Sequence, residues 1–217
     1  RRHKMLLSLL TEHVPCCVER CLDIGGGGDV AEAYDVLRER FAKELHAVDL
    51  GDDVERGRLK GVDARACDLD AERLPYEDAY FDLVLFASVI EHLYNPAHAL
   101  AEIARVTKPG GTVLVETPNA VAFGRRLDAL CGKNPFRQFN QYNAVEGKAA
   151  MTYCSVFYTA DEIETLLAPH FTVTARRFGM HTPQANPLKA FLREAVFRLA
   201  PHMGDCFAVI ATRNASD

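Results

Sequence analysis

The run Cys21-Leu22-Asp23-Ile24-Gly25-Gly26-Gly27-Gly28-Asp29-Val30 constrains this chain more than any other stretch. Four consecutive glycines follow a short apolar segment that ends in an acid, and an amphipathic stretch follows them. Each glycine costs roughly 0.5–1 kcal/mol against alanine in regular structure, so a packed core has no use for the run. It suits a tight turn whose main chain a ligand approaches closely. A strand, glycine loop and helix in that order provide such a site, with free backbone N–H groups at the helix start.

The 217 residues suffice for one domain with a substantial core. A formal net charge of −5 gives the molecule no general attraction for polyanions, so nucleic acid is not an expected partner. The opening Arg1-Arg2-His3-Lys4 reads as a solvated terminus before a helix. No apolar run reaches the roughly 18 residues of a membrane span. Met5–Leu10 is too short for a signal peptide and is interrupted by Thr11-Glu12-His13, so an amphipathic N-terminal helix is expected. Seven cysteines without a secretory signal or zinc-ligand spacing point to reduced thiols and a cytoplasmic location.

Periodicity predicts strands over 18–24, 45–49, 62–66, 81–87, 112–117, 171–178 and 206–212. Helices are expected over 29–43, 96–107, 159–168 and 187–199, with Thr159 and Glu162 forming a capping box. Lys108-Pro109-Gly110-Gly111 reads as a turn. The alternation predicts an α/β fold: a doubly wound, Rossmann-like, seven-stranded sheet, mostly parallel with an antiparallel last strand. Residues 119–158 read as an irregular lid insertion rich in aromatics. With 179–200 they form acceptor-side additions to a single domain over 1–217.

The glycine loop can be read in two frames. Gly26-x-Gly28-x-x-Ala31, with Asp49 twenty-one residues beyond Gly28, satisfies the dinucleotide pattern. The alternative frame is Asp23-x-Gly25-x-Gly27, in which the acid ends the strand and the glycines approach a small zwitterion.

Downstream residues select the second frame. In it the chain resembles the class I S-adenosylmethionine (SAM) methyltransferases, in the ubiquinone/menaquinone-biosynthesis-like (methyltransferase type 11) branch. Leu74-Pro75-Tyr76-Glu77-Asp78-x-x-Phe81-Asp82-Leu83-Val84 is similar to that branch's LPF-x-D-x-x-FD-x-V segment. Ile90-Glu91-His92-Leu93 resembles its L-E-H-L segment. Arg105-Val106-x-Lys108-Pro109-Gly110-Gly111 matches R-V-L-K-P-G-G, and Thr117-Pro118-Asn119 continues as T-P-N. Asp29 stands where the family has a third glycine.

The resemblance implies SAM as cofactor, with S-adenosylhomocysteine as product. Asp23, Gly25, Gly26 and Gly27 would receive the methionyl part, beside the strand end Phe86-Ala87. Asp49 and Leu50 would take the ribose, and Asp68 and Leu69 the adenine. His92 is the candidate general base, since imidazole titrates near neutrality; the competing reading is a histidine that packs or caps near the next helix. Ser88 replaces the first acid of a metal-associated E-x-x-E/D-H segment, so no metal is expected. The expected function is methyl transfer to a small-molecule acceptor, at an oxygen of a natural-product, glycan or quinone-type precursor. The alternatives are a SAM-binding protein of this fold without transferase activity, or an N-methyltransferase.

Overall fold

The computed structural model describes residues 2–15, 17–25, 34–50, 54, 58, 61–136, 142–145, 148–151, 156–180 and 187–215. Helix α1 (Arg2–His13) is followed by β1 (Val18–Ile24), α2 (Tyr34–Arg40) and β2 (Ala42–Asp49). Then come β3 (Asp63–Ala66), β4 (Phe81–Ala87), a 3-10 turn (Ile90–His92) and α3 (Pro96–Val106). Next are β5 (Thr107–Pro118), α4 (Phe123–Leu130) and a hairpin of β6 (Tyr142–Val145) with β7 (Lys148–Met151). The chain closes with α5 (Ala160–Leu167), β8 (Phe171–Gly179), α6 (Pro187–Leu199) and β9 (Cys206–Arg213).

The main sheet has seven strands in the order β3-β2-β1-β4-β5-β9-β8. Its consecutive pairs from β3 to β5 are parallel, while β9 runs antiparallel to both β5 and β8. This is the expected doubly wound arrangement with an antiparallel last strand. Alternation along the strands sorts the core into two layers. Leu22, Phe81, Val84, Phe86, Val113, Val115, Phe207 and Val209 pack with α3 and α5 on one face. Cys21, Leu83, Leu85, Leu114, Cys206, Ala208 and Ile210 pack on the other, with Met5, Leu9 and Leu10 of α1.

Several expectations need correction. The second helix ends at Arg40, because Ala42 and Lys43 already extend β2, where Ala42 pairs with Val18; positions 29–33 lie outside the described residues. The Lys108–Gly111 turn is absorbed into β5 as an irregularity, where pairing with β4 jumps from Phe81–Thr107 to Leu83–Thr112. Gly110 takes φ +75° there. The 119–158 stretch holds α4 and the β6–β7 hairpin, which its mixed polar and aromatic pattern concealed. The capping box is present, with Thr159 accepting from the Glu162 amide at 3.3 Å and Glu162 accepting from the Thr159 amide at 2.7 Å.

The segments that carry the family resemblance clamp the sheet at the ends where β1 and β4 begin. Arg105 donates to the Leu74 carbonyl (2.9 Å), the Tyr76 carbonyl (2.9 Å), Asp78 (2.7 Å) and Glu102 (2.7 Å). Lys108 reaches Asp82 at 2.6 Å, and the Arg20 amide donates to the same carboxylate at 2.9 Å. Burial alone would raise Asp82, but Lys108 and that amide outweigh it and hold the carboxyl below its ordinary range.

The Arg105 fork satisfies two backbone carbonyls and a carboxylate that is largely shielded. Arg105→Ala is therefore expected to cost about 2–4 kcal/mol in chemical denaturation. Arg105→Lys should recover only a minor part, because an ammonium cannot reproduce the planar fork. A loss under 1 kcal/mol for the alanine variant would contradict this role.

Candidate functional site

Parallel strands that end together bring the loops after β1, β2, β3 and β4 to one edge of the sheet. In doubly wound folds that edge is where ligands bind. Asp23 lies in β1 beside Leu85 of β4 and is only 1% exposed. Gly25 follows the strand at φ +77°, its amide donating to the Val48 carbonyl at 2.8 Å. A β-carbon there would lie 2.3 Å from Val89 Cγ2, so both conformation and space require glycine. Gly26 and Gly27 lie outside the described residues.

Asp49 ends β2, half-buried, with its carboxylate accepting from the Leu50 amide at 2.7 Å. The Leu50 side chain is exposed. The Cys67 amide donates to the Asp49 carbonyl, which leads Asp68 and Leu69 directly past the end of β2. Asp68 is exposed and accepts from the Asp70 amide, whereas the Leu69 side chain is buried. Phe86 is buried in the core and Ala87 closes β4. The described members of the sequence-derived set therefore share one edge of the fold. The donor chemistry suits a cofactor with a cationic amine and a ribose diol: acids at successive strand ends, and a turn open to close backbone approach.

The chain then turns sharply at Ser88, whose φ of +56° is rare outside glycine. The 3-10 turn that follows buries Glu91 and exposes His92. Glu91 accepts from the Thr117 hydroxyl at 2.9 Å, which ties the turn to the end of β5. Burial drives the Glu91 carboxyl above its ordinary range, against the opposing pull of His92 and Thr117. His92 projects from this anchored turn, before α3 rather than inside it, so it neither packs in the core nor supplies the N-cap, which is Asn95.

At the start of the insertion, Asn119 ties its ends to the sheet. Its side chain donates to the His202 and Gly204 carbonyls at 2.9 and 2.8 Å, and its amide to the Asp205 carbonyl at 2.8 Å. It also bridges to Tyr158, where the insertion ends. Arg125 is buried, donates to the Asn119 carbonyl, and lies over Phe157 and Phe136, whose rings stack 4.1 Å apart. Two aromatics of the insertion thus flank a buried cation. Two buried thiols, Cys67 after β3 and Cys206 at the start of β9, are no nucleophiles: burial pushes the first up to about 11 and the second to about 12.

Sequence reasoning missed Arg2 and Glu116. Arg2 was expected in solvent, yet its Nη2 contacts Glu116 at 2.7 Å and Ser88 Oγ at 2.6 Å. The available signal was Glu116 itself, an acid in the apolar run Thr112–Thr117. Alternation places it on the same face as Leu114, where a carboxylate needs a partner.

Comparison with known proteins agrees with this geometry. Residues 22–115 match the family model described as a methyltransferase domain. Over 102 residues the chain is 40% identical to the ubiquinone/menaquinone biosynthesis C-methyltransferase UbiE of Cupriavidus necator, covering 44% of this chain and 42% of that one. The chain thus spans less than half the length of that curated relative. A putative methyltransferase from Bacillus halodurans superposes with TM-score 0.64 at 17% identity, covering 96% of this chain and 99% of that one. The N-methyltransferase NodS of Bradyrhizobium japonicum, solved with S-adenosylhomocysteine, gives TM-score 0.59 at 18% identity over 99% and 86%. The domain match over residues 22–115, the curated relative and the shared fold agree in making this chain similar to the class I SAM-dependent methyltransferases of the ubiquinone/menaquinone-biosynthesis branch.

Proposed function

We propose that the chain transfers a methyl group from SAM to a small hydroxylated acceptor, such as a phenol or enol. The observation that carries this reading is the row of acids Asp23, Asp49 and Asp68 around the left-handed Gly25 turn. Bound SAM supplies an electrophilic methyl group on a sulfonium. Asp23 and the Gly25 turn hold the methionyl end beside Ala87. The Asp49 carboxylate would accept from the ribose hydroxyls on the oxygen sites that the Leu50 amide leaves open. Exposed Leu50 and the Asp68–Leu69 segment receive the adenine.

Little covalent chemistry is left to the protein, which must align the nucleophile and exclude water. His92 takes the acceptor's hydroxyl proton on an imidazole nitrogen. Glu91, fixed to Thr117, holds the turn that presents it. The conjugate base of a phenol or enol is nucleophilic at oxygen and at the adjacent carbon. Oxygen is the position expected from the sequence, while the UbiE relative, a C-methyltransferase, favours carbon. Arg125, Phe136 and Phe157 support the wall on the acceptor side.

In calorimetry the wild type should bind SAM and S-adenosylhomocysteine, and Asp49→Ala should weaken both by roughly 10- to 100-fold through loss of two charge-assisted hydrogen bonds. Unaltered affinity would remove Asp49 from the site. His92→Ala should leave SAM binding within about 2-fold but lower turnover by roughly 10²–10⁴, with the greatest deficit where a neutral imidazole would act. An unchanged rate from pH 6 to 8 would end its role as base.

The raised Glu91 carboxyl gives a separate expectation. The folded state retains a proton that the unfolded chain has released, so this contribution is complete below the ordinary carboxylate range and is lost as pH rises through the folded-state value. Glu91→Gln keeps an oxygen acceptor for Thr117 and removes that titration. Thermal unfolding from pH 5 to 8 should show the variant gaining on the wild type as pH rises; parallel profiles would refute the buried titration.

A further inference from the structure

The zwitterionic end of the cofactor carries a carboxylate as well as an amine, and among the described residues Asp23 offers the amine an anion. Arg20, Arg65, Arg105 and Lys108 are committed elsewhere, to Glu44, Asp63, Glu102 and Asp82. Arg2 is differently placed. Helix α1 buries Met5, Leu9 and Leu10 across the sheet face that carries Leu85 and Leu114, and its first turn ends over the close of β4. There the Arg2 guanidinium meets Ser88, the residue directly after Ala87, and Glu116, the β5 partner of Ala87. Asp23 stands on the other flank of β4, paired with Leu85 on the same face. Val89, next to Ser88, closes against Gly25.

One nitrogen, Nη2, makes both contacts to Glu116 and Ser88. The Ser88 hydroxyl donates onward to Glu116 at 3.0 Å, completing a triangle that fixes the guanidinium plane. Arg2 Nε is buried without a hydrogen-bond partner among the described residues, while the side chain as a whole keeps 21% of its surface accessible. A guanidinium presents five donors in a fork that fits a carboxylate. Leaving a buried donor unmet costs about 1–3 kcal/mol, so the arrangement favours an incoming acceptor.

We propose that Arg2 binds the α-carboxylate of the cofactor's methionyl group, opposite Asp23, and that Glu116 and Ser88 act as positioning residues for its guanidinium. This rests on the SAM reading of the glycine loop. It makes α1 part of the cofactor site and assigns Glu116 a role beside the cofactor without contact to the acceptor.

The test compares SAM with decarboxylated SAM, which keeps the sulfonium, adenosine and amine, by calorimetry on the wild type, Arg2→Ala, Arg2→Lys and Glu116→Gln. The wild type should prefer SAM, and Arg2→Ala should weaken SAM by roughly 10- to 100-fold while changing decarboxylated SAM less than about 2-fold. Arg2→Lys should restore part of the SAM affinity, and Glu116→Gln should weaken SAM selectively by a smaller factor. Equal losses for both ligands would mean that Arg2 only docks α1, and no loss for either would remove it from the site; both overturn the proposal. A wild type that binds neither ligand overturns the SAM reading itself, and with it this assignment. Because Glu116→Gln preserves side-chain volume, a misfolded Arg2→Ala protein still leaves a decisive comparison.

Discussion

The architecture of the site depends on the contact between Gly25 and Val89. Neighbouring parallel strands leave the sheet at the same edge, so the chains after β1 and β4 must diverge within one or two residues. Both do so by left-handed turns, at Gly25 (φ +77°) and Ser88 (φ +56°). The first turn has no β-carbon, and the Val89 side chain fills the space one would need. That packing sets how far apart the two loops stand. It also directs Glu91 inward to Thr117 and leaves His92 outside. The glycine turn after β1 and the 3-10 turn after β4 are therefore set by a single steric fit, not by a separate scaffold for each.

The two ends of the sheet divide the work. At the opening ends of β1 and β4, Asp78, Asp82, Glu102, Arg105 and Lys108 form an interlocked set of ion pairs and carbonyl contacts. At the closing ends the acids lie deeper, and burial raises Glu91 despite Thr117 and Glu116 despite Arg2 and Ser88. Charges that are well matched stabilise the fold, whereas charges held against desolvation mark the functional edge.

This division explains what could be read from the chain. Strand positions and the order of elements were legible, because burial on both faces of a parallel sheet writes near-continuous apolar runs such as Phe81–Ala87. That Asp23, Gly25, Asp49 and Asp68 share one edge of the sheet was legible because each lies at or just past a strand end. The motif residues Asp82, Arg105 and Lys108 signalled the family, yet their contacts are structural and lie away from the site. Arg2–Glu116 was not legible: the pairing joins positions 2 and 116, and local pattern carries no information about such a contact. Helix α4 was hidden by its short length and by Arg125, a buried cation that reads as surface in sequence.

Asn119 has a wider consequence. One side chain and its own backbone tie the start of the insertion to its end at Tyr158 and to the approach of β9. The two mouths of the intervening loop are thus stitched shut at the sheet, whatever lies between them. Such a closure fixes the separation of the two ends independently of the chain length between them, so the register of β5 with β9 is held by one asparagine and not by the insertion.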